Sequence, residues 1–139
     1  MAQKAIIAEE LKHKIGQEWL LGEFEIEKGM VQRFVRAIGD SNPRWETMAP
    51  PFFIVTVGGE QFGQQLAAMF PDGLLHGSTE LECHQPVRPG DKITVTGKVL
   101  NVRERSQMAF VTFEITYTNQ RQELVARCQQ TMIGYQTEK

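Results

Sequence analysis

The chain has 139 residues, 41% hydrophobic and 23% charged, with a formal net charge of -2, an ordinary balance for one globular domain, which at this length buries roughly 68–70% of its unfolded surface. It has no run of Lys or Arg, which argues against nucleic acid or an anionic membrane surface as partner. No stretch approaches the ~20 apolar residues of a membrane span, and an N-terminus with Glu9, Glu10 and three lysines does not suit a signal peptide, so the expected location is cytoplasmic. Cys83 and Cys128 lack metal-ligand spacing and read as two small buried hydrophobes in strands.

In chain order, "AIIAEELKHKI" (5–15) predicts a short helix with Ile6, Ile7, Leu11 and Ile15 on its apolar stripe, ended by Gly16, and His13 facing solvent. "WLLGEFEIE" (19–27) alternates as a strand. "KGMVQRFVRAIGD" puts Met30, Val31, Phe34, Val35 and Ile38 on one helical face, with Gly39 as its C-terminal stop. Asn42-Pro43 is a turn signal.

The apolar segment 52–70 has a first half, with Ile54, Val55 and Val57, that would also pass for a buried strand. It is read as one buried helix because Pro50-Pro51 suits a helix start. Gly58, Gly59 and Gly63 would then allow close packing. Beyond Gly73 the pattern changes to four long alternating strands, 74–87, 91–104, 107–119 and 123–135, joined by turns short enough for antiparallel neighbours. Ile93, Val95 and Val99 mark one face, and Ala109, Val111, Phe113, Ile115 and Tyr117 mark another. Residues 1–139 are read as one domain: an N-terminal helix within 1–16, a central helix over 52–70 and the main strands over 74–135. The fold class is α+β, a long antiparallel sheet wrapped around a helix, which is the hot-dog arrangement among other helix-on-sheet solutions.

Three stretches carry a resemblance. "GEFEIEKGMVQRFVRAIGDSNP", "APPFF" and "LLHGSTELECHQPVRPGD" occur in that order. Together they resemble the MaoC-like (R)-specific enoyl-thioester hydratase/dehydratase family, and within it the subgroup similar to the N-terminal dehydratase domain of type I fatty acid synthase. The resemblance implies a hot-dog fold, an acyl-CoA or acyl-carrier-protein thioester as ligand, no metal or other cofactor, and side-by-side dimers. The reaction it implies is reversible hydration of a trans-2-enoyl thioester.

That chemistry needs a base to activate water and donors for the enolate oxygen. In catalytic members of the family the resemblance places an Asp and a His on a Gly-Asp-x-Asn-Pro-x-His loop. Here Asp40 matches the aspartate, and Trp45 stands where the histidine belongs. An indole has one N–H donor and cannot take a proton from water. The family's His-Gly amide donor at the start of the central helix is replaced by Pro50-Pro51, which carry no N–H. The loop between Trp45 and Ala49 is also shorter than in the catalytic members.

Asp40 therefore has two readings, a base or a carboxylate accepting backbone N–H bonds in its own turn. His76, in Leu-His-Gly, is a candidate replacement base, and His84 lies eight residues further along with the same strand parity. Asn42, Trp45, Pro50, Gly59 and His84 are the candidate substrate contacts. Glu60 and Gln61 would recruit a thioesterase-like role, while Arg88, Arg103 and Arg105 are candidates for phosphates of the thioester carrier, against the plainer reading of solvated side chains.

The first functional reading is the dyad-lacking, substrate-accommodating subunit of a heteromeric enoyl-CoA or enoyl-ACP hydratase, with a dyad-bearing hot-dog subunit as partner. In that reading the helix 52–70 lines an acyl tunnel and its glycines make room for chain. The alternatives are a self-sufficient homo-oligomeric (R)-hydratase/dehydratase using Asp40, or an acyl-CoA-binding hot-dog protein without turnover.

Overall fold

A computed structural model describes the backbone of residues 2–135 and the side chains of residues 8–135. Ile6 and Ile7, expected on the first helix's apolar stripe, lie outside the described side chains.

The elements run α1 (Ala2–His13), β1 (Glu18–Glu25), α2 (Lys28–Ile38), α3 (Gly59–Met69), β2 (Leu74–Cys83), β3 (Lys92–Arg105), β4 (Met108–Thr118) and β5 (Leu124–Tyr135). The strands form one antiparallel sheet in the order β1-β3-β4-β5-β2. This is the α+β hot dog, with α3 on the inner face of the curled sheet. Alternation decides that face: Ile93, Val95, Val99, Ala109, Val111, Phe113, Ile115 and Tyr117 are all at most 2% exposed. Opposite them Phe62, Leu66 and Phe70 descend from α3 and its end. Phe62 meets Phe113 edge to face at 5.3 Å, and Phe34 of α2 meets Phe53 at 5.6 Å. Each such buried side chain stabilises the fold by about 1.5–3 kcal/mol relative to exposure.

The turn at "RPGD" holds the start of α2 to the sheet. Ile26 donates its N–H to Asp91 O at 2.8 Å, and Gly90 returns one to Ile26 O at 2.7 Å. Helix α2 then stops where expected, with Gly39 left-handed at φ 69° and its N–H on Arg36 O. Ile38, expected on the apolar face, is 52% exposed because the stripe turns away from the core in the last turn. Helix α1 sends Leu11 into the core and is tied down by Gly16 N–H to Val99 O at 2.9 Å and by Lys12 Nζ to Glu104 at 3.1 Å, with His13 exposed as expected.

The expected single helix over 52–70 is two pieces. Pro51–Thr56 forms a 3-10 turn, Val57 is extended, and α3 begins only at Gly59. The cause is local. Val55, Thr56 and Val57 are β-branched and disfavour a continuing helix, and Gly58 sits left-handed at φ 76°. There a Cβ would come within 3.3 Å of Val95 Cγ1 and 3.4 Å of Phe24 Cε2. Gly58 thus provides the close approach expected of the glycines, whereas Gly59 and Gly63 have open space where a Cβ would stand.

Two corrections concern β2. A bulge between His76 and Ser78 shifts its register against β5, so inward residues before and after it differ in parity. Cys83, not His84, falls on the side of His76, and His84 lies beyond the strand's end. Cys128 is fully buried, as expected, but Cys83 is exposed.

Two glycine substitutions should move stability in opposite directions. Gly58→Ala meets a left-handed backbone and a crowded Cβ position, and should lower unfolding free energy by about 1–2 kcal/mol or more. Gly63→Ala, in an open helix interior, should raise it by about 0.5–1 kcal/mol. Urea denaturation of both variants beside wild type checks the pair.

Candidate functional site

The loop that follows α2 is organised by hydrogen bonds from its own residues. Asp40 N–H reaches back to Val35 O at 3.2 Å, which fixes the carboxylate just past the helix end. Its Oδ1 accepts the Asn42 N–H at 3.0 Å. Its Oδ2 accepts the indole Nε1–H of Trp45 at 2.9 Å. Asn42 in turn caps the 3-10 turn Pro43–Glu46, its Oδ1 accepting Arg44 N–H at 2.9 Å. Gln32 on α2 donates to Trp45 O at 3.0 Å, and the Arg44 guanidinium stands 5.8 Å above the indole ring.

Both carboxylate oxygens are therefore engaged as acceptors. The Trp45 indole, then the Asn42 amide, hold the Asp40 carboxyl below its ordinary pKa. A carboxylate stabilised as the anion is a poor base, and the Trp45 indole stabilises that anion while accepting nothing.

The Ala49 and Phe53 amides, on either side of the two prolines of the next turn, are bonded within the protein. Ala49 N–H bonds Val87 O at 2.8 Å, Pro50 and Pro51 have none, and Phe53 N–H bonds Pro50 O at 3.0 Å. The first backbone N–H after the two prolines belongs to Phe52.

Beside this loop lies a pocket of about 270 Å³. Trp45, Pro50 and Ile54 form one wall, and His84, Val125 and Ala126 another, with Arg44 and Cys83 also in the lining. Asp40 and Asn42 are not among the lining residues; Asp40 meets the pocket only through Trp45. The wall at His84 is shaped by two bonds on one carbonyl, as His84 and Gln85 N–H both reach Val125 O, at 2.8 and 3.2 Å. The imidazole Nε2 pairs with Glu82 Oε1 at 2.6 Å, and Glu82 also takes Arg127 at 3.3 Å.

The structure thus brings together Trp45, Pro50 and His84, and leaves the other sequence candidates elsewhere. His76 is exposed on β2, its Nε2 2.6 Å from Thr79 Oγ1, and does not line the pocket. Gly59 lines a separate, small interior cavity at the start of α3. Glu60 is exposed on α3, Arg88 and Arg105 are exposed, and Arg103 lies 5.6 Å over Phe110. Sequence reasoning missed Arg44, Cys83 and the Val125-Ala126 wall. Arg44 had a signal, an arginine next to Trp45 in the loop singled out by the sequence; Cys83 needed the bulge in β2 to be known first.

Among the described residues no helix is long and apolar enough to cross a membrane. The sequence matches the family described as "FAS1-like, dehydratase domain region" over residues 13–128. It is 27% identical over 114 residues to a UPF0336 protein of Parafrankia sp. (strain EAN1pec), covering 69% of this chain and 76% of the relative. It is also 27% identical over 93 residues to a UPF0336 protein of Streptomyces coelicolor, covering 55% and 61%. Among solved structures, the Mycobacterium tuberculosis HadBC (3R-hydroxyacyl-ACP dehydratase) complex superposes with a TM-score of 0.75 at 22% identity, over 86% of this chain and 96% of that one. The M. tuberculosis ChsH1-ChsH2 complex gives 0.74 at 17% identity, over 99% and 94%. The (R)-hydratase from A. caviae gives 0.68 at 20% identity, over 86% and 95%. At these identities the structural likeness establishes the fold.

Replacing the indole should release the carboxylate. In Trp45→Phe the Asp40 pKa should rise toward its ordinary value, followed by NMR titration of the side-chain carboxyl carbon. In wild type the folded-state pKa is the lower one, so the Asp40 contribution to stability is present above the ordinary 3.8 and is lost as pH falls through the depressed value. Trp45→Phe should flatten that acid limb.

Proposed function

The chain belongs to the family of FAS1-like dehydratase domain regions, and from that premise we propose that it is the dyad-lacking, substrate-accommodating subunit of a heteromeric (R)-specific enoyl-thioester hydratase or dehydratase. The observation that carries the reading is the Asp40–Trp45 hydrogen bond, which occupies the carboxylate with a donor at the position of the dyad's histidine. The prolines at 50 and 51 support it, since they remove amides from the place where an enolate oxygen would be held.

In this reading residues 1–139 act as one cytoplasmic hot-dog domain whose pocket between Trp45, Pro50 and His84 takes part of an acyl-CoA or acyl-ACP thioester. Asn42 shapes the loop by capping it, and Arg44 stands at the rim where a charged portion of the thioester carrier would lie. The partner is a hot-dog subunit with an intact Asp and His, which activates the water. Likeness in fold to HadBC and to ChsH1-ChsH2, both solved as complexes of two named subunits, agrees with such pairing. Asp40 then serves the loop's shape rather than proton transfer.

The purified chain alone should give no hydration of short- or long-chain trans-2-enoyl-CoA. Mixing with a dyad-bearing hot-dog partner should restore turnover, and Asp40→Asn in this chain should leave the restored rate within a few-fold. Robust turnover by the chain alone, abolished by Asp40→Asn, would overturn the reading in favour of a self-sufficient hydratase. Acyl-CoA binding without turnover, with every partner tried, would instead make it a binding protein.

A further inference from the structure

The pocket beside the Asp40 loop has a charge of its own. Its lining holds Arg44 and His84 but no Asp or Glu, although the whole chain carries more acidic than basic residues, 17 against 15. The Arg44 guanidinium stands over the Trp45 ring and forms no ion pair among the described residues. The nearby carboxylates do not neutralise it. Asp40 is engaged by the Trp45 indole and the Asn42 amide, and Glu82 by His84 and Arg127. Glu46, two residues on, is exposed and makes no bond to it. Apart from Cys83 and Gln85, the rest of the lining is apolar, with Trp45, Pro50, Ile54 and Val125 among its side chains. An unpaired guanidinium at an apolar pocket is complementary to a carboxylate or phosphate carried on an apolar body.

His84 brings a proton into the balance. Its Nε2 lies 2.6 Å from Glu82 Oε1, and an ionised carboxylate only accepts, so this nitrogen carries the N–H. Among the described residues Nδ1 has no partner. In the neutral ring that nitrogen is an acceptor, which repels an oxyanion; in the protonated ring it is a donor. The charged and titratable groups around the imidazole are Glu82 on β2, Arg127 on β5, Arg44 in the same pocket lining and the adjacent Cys83 thiol. Arg127 reaches the carboxylate that holds the ring, at 3.3 Å, and so fixes Glu82 rather than His84. An anion filling the pocket meets His84 as well as Arg44 and favours the protonated ring.

We propose that this pocket binds an apolar molecule bearing an oxyanion, with the oxyanion on Arg44 and a proton taken up at His84 as it enters. Two sources carry that chemistry: the carboxylate of a free acyl chain, or a phosphate of the thioester carrier. The second source rests on the proposed function; the first does not.

Calorimetric titration of the full chain with octanoate, octanol, octanoyl-CoA and octanoyl-pantetheine, which lacks the phosphates, tests it. Arg44 is exposed, so Arg44→Gln leaves the fold intact and reads the contact alone. Octanoate bound about tenfold more tightly than octanol, with the preference lost in Arg44→Gln, assigns the oxyanion to a free carboxylate. Octanoyl-CoA bound about tenfold more tightly than octanoyl-pantetheine, with that preference lost in Arg44→Gln, assigns it to the carrier. Affinities for octanoate and octanoyl-CoA that are both unchanged by Arg44→Gln, or no binding of either, would overturn the proposal. Arg44-dependent octanoate binding with no binding of either thioester supports it and counts against the accessory-subunit reading alone. The bound state holds the extra proton, so affinity for the anion should rise as pH falls, by about three- to tenfold from pH 8 to pH 6. The carboxyl of octanoate stays ionised over that range. His84→Gln should flatten the dependence, and octanol should show none. An octanoate or octanoyl-CoA affinity already flat with pH in wild type would overturn the part given to His84.

Discussion

The contact of Gly58 with the sheet is the constraint on which the arrangement turns. The backbone there lies against Val95 and Phe24 with little space for a Cβ, in a left-handed conformation. At that spot the segment after the prolines finishes as a 3-10 turn and α3 starts afresh. That break fixes which residues α3 lowers onto Phe113 and which side chains the first segment turns toward Trp45. The interior cavity and the surface pocket lie on either side of the same short stretch.

The second constraint is chemical. A histidine at position 45 would exchange protons with water, whereas an indole fixes the neighbouring carboxylate as an anion. The Asp40 carboxylate and the Asn42 cap tie the loop together through hydrogen bonds to its own backbone. Shape and reactivity are separable here because the bonds that hold the loop are backbone N–H donors and an indole, none of which needs to ionise.

Much of the fold was legible because the strands obey a period of two, and the inward residues of β3 and β4 named from alternation are all buried. What escaped was broken periodicity. A run of apolar residues at 52–57 carries no period that tells a 3-10 turn from a helix. The bulge at 76–78 reversed the parity linking His76 with His84 and put Cys83 on the face that borders the pocket. For the site, the pairing of Trp45 with Asp40 on one loop involves residue types and spacing that the sequence displays directly. The pocket is not displayed in this way, because Val125 and Ala126 reach it across the sheet from 80 residues or so further along than Trp45.

The bulges have a bearing on assembly as well. Strands β1 and β2 are the two outer strands of the sheet, and each carries one irregularity, at Leu20–Gly22 and at His76–Ser78. A free β edge is a template for adding strands without limit, most simply by laying the first edge of one copy on the last edge of the next. Two differently placed kinks interrupt that head-to-tail ladder on both of its faces. The kink of one edge can, however, be matched by a two-fold related copy or by a subunit of similar shape. The same irregular residues that complicate the pattern thus work against an open-ended ladder of strands.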